Sequence, residues 1–269
     1  MKFSKLQLNT GNSLHIYSWG QNKAEENRPN ILLLHGIESH AQWFHEIAEL
    51  LVQKGYCVWS FDRQGFGQSG GPRGHMESIE SVTYEFQEVR SHIVETTNRP
   101  ITKLVGMSWG GMFLIYAAIQ GLVTNESIVL LAPGIYPSNT PSIKELFTIS
   151  MNINSSTEQV YSLAYMPHDF CSDQAKQKEI LNDPYRITRL SANSCYVTGK
   201  MQKVVKMQAR ALNSKYFCLV LPEEDSIIDI KKTANLLDRF LSISIKASKH
   251  SLILDQPMKI ATLIDEFKG

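Results

Sequence analysis

Two spacings of apolar residues alternate along the chain: short β-rich runs, and longer stretches in which apolar residues recur three and four apart. Residues 3–9 and 13–19 read as an antiparallel pair of strands turning near Thr10-Gly11-Asn12, and Asn30-Ile31-Leu32-Leu33-Leu34 as a central strand. Phe44, Ile47 and Leu51 mark one face of a helix that stops at Gly55, and Tyr56 to Phe61 is the next strand. Ile79, Val82, Phe86, Val89 and Ile93 then form one buried helical stripe. Ile101 to Val105 is a strand, Met112 to Ile119 a helix apolar almost all round, and Ser127 to Leu131 a further strand. Tyr216 to Leu221 and Ile243 to Ile245 are the last strands, separated by a helix at about 228–241. Asp255 and Pro257 start a final helix with Ile260, Leu263, Ile264 and Phe267 facing inward. Strands alternating with helices predict an α/β protein, with a mostly parallel central sheet flanked by helices.

Between Pro133 and about Asn213 that alternation breaks. About 80 residues are too many for a connection inside a compact domain, so they predict an insertion of their own. The expected division is a core of residues 1–133 and 214–269 with an insertion at 134–213. Leu146, Phe147, Ile149 and Met151 suggest one helix in it and residues 199–212 another. With 269 residues, 43% of them hydrophobic, the chain can build a substantial core. Its 27 basic and 26 acidic residues leave no global field for nucleic acid. The start Met1-Lys2-Phe3-Ser4-Lys5-Leu6 lacks the apolar core of a signal peptide, and no apolar run is long enough to span a bilayer, so the expectation is a soluble cytoplasmic protein. Cys57, Cys171, Cys195 and Cys218 show no metal-type spacing and read as free thiols.

Candidate chemistry concentrates in Gly106-Met107-Ser108-Trp109-Gly110. A serine between glycines two residues away on each side can sit on a turn too sharp for bulkier neighbours, and here the turn joins a predicted strand to a predicted helix. Ser108 is therefore a candidate nucleophile, and a serine hydroxyl needs a histidine to take its proton and an acid to orient that histidine. Of the two histidines after it, His168 lies in the insertion, whereas His250 directly follows the last strand and is the expected base. The loop after the preceding strand, Leu221-Pro222-Glu223-Glu224-Asp225, supplies the acid: Asp225 is preferred because it precedes the next helix with its side chain free to turn back, and Glu224 is the second candidate. The oxyanion formed on attack needs two preorganised N–H groups, assigned to the backbones of Trp109 and of Ile37 in Leu34-His35-Gly36-Ile37, where Gly36 permits close approach.

These features, with Asp62-Arg63-Gln64-Gly65-Phe66-Gly67-Gln68-Ser69 and Gly71-Pro72-Arg73-Gly74, resemble the α/β-hydrolase fold and more narrowly its monoacylglycerol lipase and lysophospholipase-like branch. The resemblance implies that the Asp62 to Ser69 loop braces the site without doing chemistry. Two departures are Pro222, where the acid loop of the family carries glycine, and Met107, where many relatives carry histidine. It also implies that the insertion is a helical cap over the active site, the element that selects what enters, with its apolar segment at Leu146, Phe147, Ile149 and Met151 lining an acyl pocket. From Arg186 to Arg210 that segment holds six basic residues and no acidic one; Lys200, Lys203 and Lys206 share a helical face. One reading is a solvated basic face, the other a surface that meets anionic lipid or a phosphate headgroup.

The expectation is a serine hydrolase that cleaves carboxylic esters through an acyl-enzyme, acting on a small lipid-derived molecule, with no metal and no organic cofactor. A serine peptidase of the proline iminopeptidase type is the alternative, because Ser108-Trp109-Gly110 is similar to the elbow of that group, and Glu145, Glu158, Asp169, Asp173, Glu179 and Asp183 in the insertion could hold a free amine. A receptor or scaffold on the same fold is a second alternative, though no triad member is missing. Oligomeric state is not legible in the sequence.

Overall fold

The computed structural model describes residues 1–21, 28–153 and 157–269. β1 (Lys2–Gln7) and β2 (Ser13–Trp19) form the predicted antiparallel pair, with Lys2 opposite Ser18. β3 (Asn30–Leu34), β4 (Cys57–Asp62), β5 (Ile101–Met107) and β6 (Ser127–Leu131) follow in the chain. β7 (Gln159–Ser162) and β8 (Arg189–Ser191) pair with each other alone, and β9 (Phe217–Pro222) and β10 (Leu241–Ile245) rejoin the main sheet. Among the described residues that sheet has eight strands in the order β1-β2-β4-β3-β5-β6-β9-β10, all parallel from β4 through β10. β3, β4, β6 and β9 are buried throughout, which is why β3, β6 and β9 read as nearly continuous apolar runs.

The chain leaves β3 for β4 on one side and then crosses to β5 on the other. This reversal opens a crevice beyond the carboxyl ends of β3 and β5, where open α/β sheets bind ligands. Helices cover the sheet: α1 (His45–Gln53), α2 (Ile79–Thr97) and α3 (Trp109–Ile119) in the first half. α2 starts at Ser78, whose hydroxyl accepts from Ser81 N, and it buries Val82, Phe86, Val89 and Ile93 as predicted. Phe86 meets Phe113 of α3 edge to face with ring centroids 5.2 Å apart. Truncating such a buried ring to alanine costs about 3–5 kcal/mol. Trp109 through Ala117 of α3 are all buried, so this helix is wrapped on every side.

Between β6 and β9 the chain forms α4 (Ile143–Asn152), α5 (Pro167–Phe170), α6 (Gln174–Asn182) and α7 (Ala192–Gln208) around the β7–β8 pair; residues 154–156 of this segment lie outside the described residues. α7 begins seven residues before the predicted start of 199. Its first turn is poor in helix formers, but Ser194 Oγ donates to Gly74 O (2.8 Å) and accepts from Met76 N (2.7 Å), tertiary bonds that override propensity. α4 also corrects the expectation that Leu146, Phe147, Ile149 and Met151 all line one pocket. Leu146 (52% exposed), Ile149 and Ile153 line the cavity, while Ile143 (88%), Phe147 (66%) and Met151 (66%) share the outer side at spacings of four.

α8 (Ile230–Leu236) is shorter than the predicted 228–241; Asp229 accepts from Lys232 N and caps its start. α9 (Leu252–Asp255) and α10 (Pro257–Glu266) close the chain, with Ile260 and Ile264 buried and α10 packed on α1. All four cysteines are free.

Candidate active site

Ser108 stands at the junction of β5 and α3 with φ +53° and ψ −114°, a conformation that costs a non-glycine residue about 1–3 kcal/mol. Three backbone hydrogen bonds hold it there: Ser108 N donates to Leu131 O (2.8 Å), and Ser108 O accepts from Met112 N (3.0 Å) and Gly134 N (2.8 Å). The flanking glycines are required by contact. A Cβ on Gly106 would lie 2.5 Å from Gly110 O, and one on Gly110 would lie 2.2 Å from Leu34 O and 2.9 Å from His35 O. α3 can therefore start directly above the end of β3 only because these positions have no side chain. A Cβ on Gly36 would reach 3.4 Å from Ser108 Cβ, which places the 35–37 loop against the elbow.

Among the described residues, neither the Ile37 nor the Trp109 backbone N–H is committed to a hydrogen bond. Ile37, Ser108 and Trp109 together line one cavity of about 590 Å³. Unpaired N–H groups are rare inside proteins, and two of them beside an elbow serine are what a developing oxyanion requires.

His250 lies on the loop between β10 and α9 and is 1% exposed. Its Nδ1 donates to Asp225 Oδ2 at 2.7 Å, and the Asp225 carboxylate is fully buried. The other Asp225 oxygen accepts from Ile227 N (2.8 Å) and Ile228 N (3.0 Å), so the acid is fixed by its own loop. Glu224, the second candidate, points to solvent and binds Lys249 Nζ at 2.7 Å. Proline at 222 leaves the geometry intact, because it ends β9 opposite Ile245 and lets Glu223 N donate to Ile245 O. Among the described residues no direct hydrogen bond joins Ser108 Oγ to His250; in enzymes without substrate this contact is often long and tightens on binding.

The Asp62 to Ser69 loop is a brace. Asp62 accepts from Ala41 N (2.7 Å) through one oxygen and from Gln68 N (2.8 Å) through the other, while Ser69 Oγ donates to Asp62 O and accepts from His15 N (2.7 Å). Burial pushes the Asp62 carboxyl up, and these backbone donors oppose the shift.

Sequence reasoning passed over Glu38 and Arg186. Their buried ion pair, 2.6 Å long, joins the residue after Ile37 to the segment between β6 and β9. Arg186 also donates to Tyr165 O (2.6 Å), and Ile187 N donates to Glu38 O (3.0 Å). Burial outweighs the attraction of Arg186 and raises the Glu38 carboxyl to about 7. His40, two residues further on, is tied to Asp183 of the same segment at 2.8 Å. Nothing in a linear sequence marks two residues 148 apart as partners.

The cavity itself is mainly apolar. Leu146, Ile149, Tyr161, Leu163, Leu190 and Ile227 are among its walls, and its only charged lining residues among those described are Lys200 and Lys203. No group of three or more His, Cys, Asp or Glu among the described residues could hold a metal.

With this geometry in hand, comparison with known proteins places the chain. The family described as "Serine aminopeptidase, S33" (Hydrolase_4) matches residues 25–256. The chain belongs to this family. It is 29% identical over 106 residues to the monoacylglycerol lipase of Mycolicibacterium smegmatis, a match covering 39% of this chain and 38% of that protein. It is 32% identical over 111 residues to the proline iminopeptidase of Lactobacillus helveticus, covering 38% and 36% respectively. The matched part thus spans little more than a third of the curated relatives' length. Among solved structures, it superimposes on Paleococcus ferrophilus monoacylglycerol lipase with TM-score 0.77 and 20% identity, covering 95% of this chain and 98% of that one. It also superimposes on monoglyceride lipase from Saccharomyces cerevisiae with TM-score 0.82 and 15% identity, covering 99% and 94%. At these identities the likeness shows the α/β-hydrolase fold. Among the described residues no helix is long and apolar enough to cross a membrane.

Proposed function

We propose that this chain is a serine hydrolase that cleaves carboxylic esters of monoacylglycerol or lysophospholipid type through an acyl-enzyme. In this reading His250 takes the Ser108 proton as Oγ attacks the ester carbonyl, Asp225 holds the imidazole and stabilises its positive charge, and the Ile37 and Trp109 amides receive the oxyanion. Collapse breaks the ester bond, and His250 returns the proton to the leaving alcohol. Water then attacks the acyl-enzyme by the same path and releases the acid and free Ser108. Neither metal nor organic cofactor takes part in these steps. Residues 134–213 act as a cap, since α4 and α7 wall the cavity above Ser108.

The observation that carries the ester reading is the composition of the cavity wall. An aminopeptidase must hold a free ammonium, and no carboxylate lines this cavity among the described residues. Four of the six acids of the segment are engaged elsewhere: Glu145 and Asp173 cap helices, Asp169 accepts from Met166 N and Ser226 Oγ, and Asp183 accepts from His40 and Trp43. An apolar wall with two lysines suits an acyl chain with a neutral or anionic headgroup. The lipase and iminopeptidase relatives do not decide between the two readings, whereas this wall favours the ester. The outer side of α4, with exposed Ile143, Phe147 and Met151, favours a peripheral contact with a lipid surface as well.

The test is a set of p-nitrophenyl esters of graded chain length beside a prolyl anilide. Each buried methylene contributes about 0.8 kcal/mol, so kcat/KM should climb roughly fourfold per carbon until the cavity is full. A flat profile with fast anilide cleavage would overturn the ester reading in favour of the peptidase.

A further inference from the structure

Arg63 is a buried guanidinium, 4% exposed, that forms no ion pair among the described residues, and burial lowers its pKa to about 9. Buried charges are normally matched by opposite ones. Glu85 and Asp62 supply the nearest negative potential, yet the guanidinium fork goes to two carbonyl oxygens: Nη1 donates to His35 O at 2.7 Å and Nη2 to Gly36 O at 2.8 Å. Its Nε has no partner. Its plane covers the indole of Trp109, 4.2 Å from the ring centroid, and the ring of Phe66 at 4.6 Å.

Gly36 O accepts a second bond, from Nδ1 of His35 at 2.8 Å. The tautomer is fixed because Nε2 of the same ring accepts from Arg63 N at 3.2 Å. Burial and the neighbouring guanidinium hold His35 well below its ordinary pKa, so the ring stays neutral. The peptide linking Gly36 to Ile37 is planar and trans, which points the Ile37 N–H opposite to the Gly36 carbonyl. Two donors gripping that carbonyl from one side therefore fix where the Ile37 N–H points on the other. The Gly36 N–H is tied separately, to Ser39 Oγ at 2.9 Å. One side chain thus touches the peptide that carries one candidate oxyanion donor and the ring of the residue that carries the other.

We infer that Arg63 is a positioning residue that presets the oxyanion donors of Ile37 and Trp109. The inference rests on the proposal that Ser108 performs acyl transfer, and holds for an ester or an amide substrate alike. Arg63 does not touch substrate; it removes the reorganisation that the loop would otherwise undergo as charge develops.

The experiment compares wild type with Arg63→Met, which removes both carbonyl contacts, and Arg63→Lys, which keeps the charge but can reach only one. Active sites are first counted by fluorophosphonate labelling of Ser108 carried to completion, so that misfolded material drops out of every rate. Per labelled site, Arg63→Met should lose about 10²-fold in kcat on a p-nitrophenyl ester, the size of loss seen when an oxyanion donor is removed, with KM moving less than about threefold. Affinity for an aryl boronic acid, whose tetrahedral adduct presents the oxyanion, should fall by a comparable factor. Arg63→Lys should lie between the two, roughly 10-fold below wild type in both readouts, and it carries the test if Arg63→Met does not fold. Wild-type kcat per labelled site in either variant, or a loss of kcat with unchanged boronate affinity, would overturn the inference. Failure of wild-type Ser108 to label would instead sink the underlying acyl-transfer reading, and this inference with it.

Discussion

Asp225 and Glu224 are neighbours in the chain, yet one is sealed beneath the His250 ring and the other is bound to Lys249 at the surface. Asp225→Asn should therefore cut ester turnover by about 10⁴-fold, because an amide leaves His250 in the wrong tautomer and without a partner for its developing charge. Glu224→Gln should leave turnover within about twofold, as expected for an exposed pair. Steady-state kinetics on the purified variants check both, and reversed effects would reassign the acid. Glu38 gives a second prediction at this scale. Its folded pKa of about 7 lies above its ordinary 4.5, so the folded state binds the proton more tightly. The stability from that proton is fully present below 4.5 and is lost as pH rises to about 7, an amount on the order of 3 kcal/mol at 1.36 kcal/mol per pKa unit. Denaturant melts at pH 5 and pH 7.5 should show Glu38→Gln with a smaller pH dependence than wild type. An identical dependence in both would contradict the assignment.

At the scale of elements, spacing in the sequence reveals what lies buried more readily than what borders a cavity. β3, β6 and β9 were legible because strands covered on both faces are apolar almost without interruption, and α2 because its stripe keeps one period for four turns. α4 was misread for the converse reason: its cavity side and its outer side are both apolar, so composition could not separate Leu146 and Ile149 from Phe147 and Met151. That division has a measurable consequence. Leu146→Ala with Ile149→Ala should weaken the preference for long acyl chains. Phe147→Ser with Met151→Ser should leave hydrolysis of soluble esters within about twofold, surface changes costing little, while reducing retention on lipid vesicles. Equal effects of the two pairs on the chain-length profile would show that α4 does not divide the cavity from the surface in this way.

At the scale of the whole molecule, the chain order of serine, acid and histidine was readable because each follows a strand of one parallel run, so the topology puts all three at the same end of the sheet. What the order could not show is the stitching of residues 134–213 to the core. Glu38 with Arg186, and His40 with Asp183, join the loop after β3 to a segment more than 140 residues away, and their partners become visible only in three dimensions. The same holds for Arg63, which in the sequence is merely the residue after a bracing aspartate. Breaking a buried ion pair by removing one partner costs about 3–5 kcal/mol, so Arg186→Met should lower thermal stability by many degrees. A thermal melt within a degree of wild type would show that the pair does not hold the segment to the core. The central claim, that this fold serves to make Ser108 a nucleophile, is tested most directly by intact-mass and peptide mapping after exposure to a fluorophosphonate. The account predicts one adduct per chain, on Ser108, absent in Ser108→Ala and formed far more slowly in His250→Ala; an adduct on another residue, or one that persists in Ser108→Ala, would contradict it.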